Sequence, residues 1–161
     1  MTQENKNRSI PMAQWVALAG EGAAPAVTIC LEGDSMRPLI RRGRDPVTII
    51  PLNRPLQRGD VVLFRLGERY IVHRVWKLQN GRVRTFGDNC WQPEPWFSEQ
   101  QVLGLVVKYS RDGKAHLLDT PQARAWGRMW MAVHPVRMLY KRCRSLAARV
   151  VRRMRKVVKA T

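Results

Sequence analysis

From residue 26 to about residue 118 the chain alternates short apolar, β-branched runs with turn formers. "AVTICLE" (26–32), "PVTII" (46–50), "DVVLFRL" (60–66), "RYIVHRVWKL" (69–78), "RVRTF" (82–86), "QVLGLVVKYS" (101–110) and "KAHLL" (114–118) each read as a strand. Between them stand "RRGRDP", "QRGD", "QNG" and "RDG". The Asn-Gly and Asp-Gly pairs are hairpin signals, because both residues tolerate the left-handed backbone of a tight turn. Short strands at this spacing predict a mainly β fold, a compact and largely antiparallel sheet.

The two ends follow another period. Residues 11–20, "PMAQWVALAG", predict a short helix closed by "GEGAAP". After Thr120 a capping residue followed by Pro121 marks a helix start, and Pro135 then breaks or kinks it. Beyond it, Val136, Leu139, Cys143, Leu146, Val150, Met154 and Val157 recur every three or four residues, with Arg and Lys on the other face. That spacing predicts an amphipathic helix of about 24 residues, on the order of 36 Å long. The expected organisation is an N-terminal segment over 1–25, a β domain over 26–119 and a basic helical tail over 120–161.

Composition sharpens the picture of the tail more than of the body. The 161 residues carry 29 Lys and Arg against 12 Asp and Glu, a net charge of +17. Ten of those basic residues lie between Arg137 and Lys159, where no acidic residue occurs. The anionic partner implied by the excess charge is therefore a partner of the tail. An anionic membrane surface suits residues 136–161 best, with the apolar stripe in the headgroup boundary, basic side chains on lipid phosphates, and Trp126 and Trp130 as interfacial residues. Packing against a protein partner is the next reading. Nucleic acid is a weaker one, since no helix-turn-helix segment precedes residue 26.

No run reaches the roughly 18 apolar residues of a membrane-spanning helix. Residues 11–20, behind Lys6 and Arg8, faintly imitate a secretory signal, but Gln14 interrupts the run and Glu21 follows it. Cys30, Cys90 and Cys143 are odd in number and include no C-x-x-C pair, so neither a disulfide framework nor a zinc site is indicated. No cofactor is expected. The place expected is a reducing one, the cytoplasm or the cytoplasmic face of a membrane.

The candidate chemistry begins at "GDSMRPLIRRGRD" (33–45), where Ser35 stands in a polar turn. A serine hydroxyl needs a base to become a nucleophile. Of the three histidines, His73 in "YIVHRV" is the one held mid-strand, as a general base must be. Asp88 in "TFGDNC" ends the next strand of the expected hairpin and can orient the imidazole. Asp45 is the alternative carboxylate. Each residue also has a plain reading, as turn former or packing residue. Cys90 is read as a small packing residue rather than a competing nucleophile.

Taken in order, "SMRP", "GDVVLF" with "YIVHRV", and "GDN" resemble the signal peptidase superfamily, which also contains self-cleaving repressors of the LexA kind. The resemblance spans about residues 26 to 107, including "QVLGLVV" as the family's closing strand, and leaves the tail aside. It implies Ser35 as nucleophile and His73 as base, as in the endoplasmic-reticulum-like branch, where histidine replaces the more common lysine. Asp88 is then the helper. The resemblance also gives the Ser35 backbone N–H to the oxyanion hole, with Gly33 leaving room, Met36 to the floor and Pro38 to the turn. Three departures stand out: "GDNC" replaces the usual "GDNN", the longer acidic-and-serine continuation of many bacterial members does not follow it, and no membrane-spanning anchor is expected before the serine block.

The function expected is hydrolysis of a signal- or leader-like peptide, bound as an extended strand along a sheet edge. The alternative is a non-catalytic or self-processing regulator on the same fold.

Overall fold

In the expected β runs, side chains alternate between two apolar layers, and that alternation builds the molecule. The computed structural model describes residues 12–20, 24–140 and 142–144. Its strands are β1 (Val27–Ile29), β2 (Val47–Pro51), β3 (Val61–Leu66), β4 (Arg69–Gln79), β5 (Arg82–Phe86), β6 (Phe97–Ser98), β7 (Val102–Arg111) and β8 (Lys114–Leu117). They form one antiparallel sheet in the order β1-β2-β7-β3-β4-β5-β6, with β8 beside β7. The fold is mainly β, as the sequence predicts.

β3 explains why "VVLF" reads as a continuous apolar run. Val61 and Leu63 enter one apolar cluster, with Trp15, Met36, Ile40, Ile49 and Val106; Val62 and Phe64 enter another, with Val75, Val83, Phe97 and Leu105. A strand buried on both faces shows no polar alternation. The turns follow their chemistry as well. Asn80 and Gly81 both have positive φ (48° and 71°), as do Asp112 and Gly113 (50° and 78°), the geometry a two-residue hairpin demands.

β6 was not among the expected strands. It is two residues long and too short for any period; Phe97 earns its place by stacking on Phe64, ring centroids 4.5 Å apart. α1 (Met12–Gly20) matches the predicted N-terminal helix and is pinned to the core. Trp15 is fully buried and its indole N–H donates to the Pro25 carbonyl at 2.8 Å. Gly104 makes room for that ring: a Cβ there would fall 2.9 Å from it.

α2 (Pro121–Ala132) starts where the cap predicts, Thr120 Oγ1 accepting from the Ala123 N–H. The helix is interrupted at Val133 and resumes over 134–140, with Pro135 in the new first turn, as expected of a residue that cannot donate within a helix. Packing divides the chain into two units, Met1–Arg128 and Met129–Thr161. In the first, Arg124, Trp126 and Gly127 of α2 meet residues of the sheet side, considered below. In the second, the Arg137 guanidinium lies 3.6 Å over the Trp130 ring. Most of the amphipathic helix expected after Val136, residue 141 and residues 145–161, falls outside the described residues. No helix among those described is long and apolar enough to cross a membrane.

Candidate active site

The serine turn is held from three sides. Met36 and Ile40, the apolar residues behind Ser35, are buried in the core, and the Ile40 N–H donates to the Met36 carbonyl at 3.0 Å. Ser35 itself stays half-buried at the surface of this tight segment. The third hold is Asp45. Its carboxylate accepts from the Arg41 N–H and Nε, both at 2.9 Å, and from Arg111 Nη2 at 2.6 Å; Arg111 also donates to the Leu39 carbonyl at 2.7 Å. Burial pushes the Asp45 carboxyl up, but the hydrogen bonds from Arg41 and Arg111 outweigh it and hold the group well below the usual carboxylate range. Asp45 is thus spent on clamping the turn to β7.

His73 sits in β4 opposite Val62 of β3, only 4% exposed, its ring 6.1 Å from that of Phe64. Burial lowers its pKa to about 4, so the imidazole is neutral near pH 7. Lys77, the nearest lysine in sequence, lays its ammonium over the Trp76 ring at 4.6 Å.

Gly87 is where the serine turn and the His73 imidazole meet. A Cβ at this position would fall 2.8 Å from His73 Nε2, 2.9 Å from the Ser35 carbonyl oxygen and 2.5 Å from Cys90 Sγ. The base nitrogen and the Ser35 backbone are separated by no more than the sum of the first two distances. Only a residue without a side chain lets them approach so closely. Asn89 ties the same loop to the serine turn: its N–H donates to the Ser35 carbonyl at 2.7 Å and its Nδ2 to the Asp34 carbonyl at 3.1 Å. Cys90 Sγ lies 3.8 Å from His73 Nε2.

Asp88 has other business than the one expected of it. Arg74, next to His73 on β4, leaves the strand on the opposite face and meets Asp88 in a buried two-armed pair, Nε to Oδ1 at 2.9 Å and Nη2 to Oδ2 at 2.8 Å. Arg74 Nη1 donates to the Gly59 carbonyl at 2.9 Å, and its guanidinium lies 5.9 Å from the centre of the Trp126 ring. A Cβ at Gly127 would collide with it, so any larger residue here would have to displace the Arg74 guanidinium from its pair with Asp88. The carboxylate facing the histidine is that of Glu94, with Oε1 3.4 Å from Nδ1. The contact is within ion-pair reach but off hydrogen-bond geometry. Glu94 is positioned by its own N–H, which donates to the Thr85 carbonyl of β5 at 3.0 Å. It stands between two prolines in "QPEPW", and no periodic or motif signal marks it. Asn89 is the last letter of the "GDN" block, to which the sequence assigns no separate role.

A cleft of about 550 Å³ opens beside Ser35, lined on one side by Ile29 to Gly33 and on the other by Tyr70, Ile71 and Val72, with Leu63 beneath. Its β4 wall is a sheet edge. Over Arg69–His73 the strand pairs with β3, whereas β5 joins β4 only from Arg74 onward. A backbone edge beside a cleft can accept an added strand. Among the described residues no cluster of three metal-ligating side chains occurs. The assembly is suited to acid–base chemistry on an extended chain.

Comparison with known families returns one description, Peptidase S24-like, matching residues 1–107. That span includes the serine turn, β4, Asp88, Cys90 and Glu94. No curated protein matches the chain.

Proposed function

The chain belongs to the Peptidase S24-like family, whose activity is that of serine peptidases and which covers self-cleaving and signal-peptidase-like members, and we propose that it is an endopeptidase working through Ser35 and His73 on signal- or leader-like peptides. The observation that carries this reading is the meeting of His73 Nε2 and the Ser35 turn around Gly87, with Ser35 itself lining an open cleft. The substrate adds to the unpaired edge of β4 as an extended strand, which brings its scissile carbonyl to Ser35.

Proton traffic follows from the environments. The carboxylate of Glu94 favours the tautomer with hydrogen on Nδ1, leaving the Nε2 lone pair as the base. As Ser35 Oγ attacks the carbonyl carbon, Nε2 takes its proton, and Glu94 stabilises the imidazolium that forms. The carbonyl oxygen becomes an oxyanion, to which the Ser35 N–H donates. His73 then protonates the departing amine, and water repeats the sequence on the acyl-enzyme. Orientation, assigned to Asp88 from the sequence, goes to Glu94 in this reading. Asp88 supports the strand that carries His73.

The basic tail holds the enzyme at an anionic membrane surface, where Arg and Lys meet lipid phosphates at roughly 1 kcal/mol each. This rests on the uninterrupted run of basic residues between Arg137 and Lys159.

The test is peptide hydrolysis by purified protein offered a library of leader-like peptides. Ser35→Ala and His73→Ala should each lower turnover by about 10³-fold or more. Cleavage surviving both substitutions removes the assignment. Self-cleavage without turnover of added peptide assigns the self-processing regulator instead.

A further inference from the structure

We propose that Cys90 is a base-activated modification site that reacts with small soft electrophiles, low-mass disulfides in particular, and that loading it shuts the catalytic base. Three groups share one small volume. Cys90 Sγ lies 3.8 Å from His73 Nε2, the imidazole is nine-tenths buried or more, and Glu94 stands behind the ring at Nδ1. Cysteine, histidine and carboxylate in that order are the parts that raise a thiol's reactivity.

The loop fixes the thiol in place. The Cys90 N–H donates to the Gly87 carbonyl at 2.9 Å, and Asn89 is bound to the Ser35 turn on its other side. Gly87 has no side chain to separate sulfur from imidazole. Cys90 is half-buried, between the solvent and the His73 ring, which is almost wholly buried. His73 of β4 faces the sulfur, with Glu94 beyond it. Asp88, in the same loop, is already paired with Arg74.

The chemistry balances with a disulfide as oxidant. The Cys90 S–H bond breaks and its proton passes to His73 Nε2. The sulfur attacks one sulfur of the reagent, the reagent's S–S bond breaks, and its other half leaves as a thiolate. The new mixed disulfide then occupies the space at Nε2, so the Ser35 hydroxyl loses its base. A reductant reverses the change.

The effect on turnover rests on the Ser35–His73 reading; the reactivity of the thiol does not. The experiment therefore has two arms on the full chain. In the first, iodoacetamide labelling of Cys30, Cys90 and Cys143 is followed by mass spectrometry at about pH 6.5 and about pH 9.5. A thiol of ordinary pKa loses roughly 100-fold in rate across that interval, so the ratio reads activation independently of access. Cys90 should lose less than about tenfold, and Glu94→Gln should widen its ratio. A Cys90 ratio equal to those of Cys30 and Cys143 overturns the proposal. In the second arm, oxidised glutathione should cut peptide hydrolysis at least tenfold, dithiothreitol should restore it, and Cys90→Ala should show no loss on treatment. Full turnover with Cys90 loaded overturns the gating. Absence of peptide turnover before treatment would count against the peptidase reading alone, leaving the labelling arm to decide the thiol.

Discussion

Glu94 presents its carboxylate to His73: Oε1 stands 3.4 Å from Nδ1, on a residue 21 positions downstream with no strand register linking the two. The aspartate that the sequence offered for this place, Asp88, gives both oxygens to Arg74. One segment, 87–94, thus meets β4 twice, with a carboxylate on Arg74 at its start and one facing His73 at its end.

If Glu94 stabilises the imidazolium, Glu94→Gln lowers kcat by about 10- to 100-fold while KM for a short peptide stays within about threefold. The variant keeps the wild-type denaturation midpoint, because Glu94 is at the edge of the site. Steady-state kinetics beside a urea titration check both halves. Unchanged kcat would dismiss the carboxylate from the mechanism.

Burial of His73 makes stability depend on pH in a defined window. The imidazole titrates near 6.5 when unfolded and about 4 when folded, so the unfolded chain binds the extra proton first. Its contribution is fully present above about pH 6.5 and is lost as pH falls toward 4, by about 3 kcal/mol in total. Thermal unfolding followed between those limits should show a falling Tm, and His73→Phe should flatten that part of the curve. Asp45 acts in the same direction at lower pH, since its folded pKa is depressed. Its clamp is intact above the ordinary carboxylate pKa and is lost as pH falls through the depressed one.

Asp88→Asn leaves the buried guanidinium of Arg74 without its counter-charge. Breaking a buried pair from one side costs about 3 kcal/mol or more, so this variant should lose stability well before Glu94→Gln does. Chemical denaturation provides the comparison. A stable Asp88→Asn protein with a collapsed kcat would return the orienting role to Asp88.

For the tail, sedimentation with phosphatidylglycerol vesicles should capture the full chain, and capture should fall steeply as salt is raised. Replacing Arg152, Arg153 and Arg155 by Glu should abolish it, and neutral phosphatidylcholine vesicles should bind neither form. Equal capture by both vesicle types would remove the electrostatic anchor.

Much of the fold was legible because its signals are local. Alternating β-branched runs, "NG" and "DG" turns and the cap at Thr120 act over a few residues, and the structure places β2 to β5, β7, β8, α1 and α2 where those signals stand. β6 escaped because two residues carry no period. The nearness of the serine turn to His73 was legible in the order of the motif blocks and in the hairpin that brings the "GDN" loop back along β4. Glu94 was not, because its partner is set by where a proline-flanked segment returns after β5.

What the chain determines by itself is the set of strands, the turns between them and the residue types able to do acid–base chemistry, since backbone preference and side-chain period are short-range properties. Which carboxylate faces the imidazole, which one is consumed by an arginine, and that a thiol lies at the base nitrogen were decided only by the tertiary structure. Electrostatic and contact energies depend on separation in space, and here that separation is fixed by how the serine turn, β4 and the 87–94 segment pack around a single glycine.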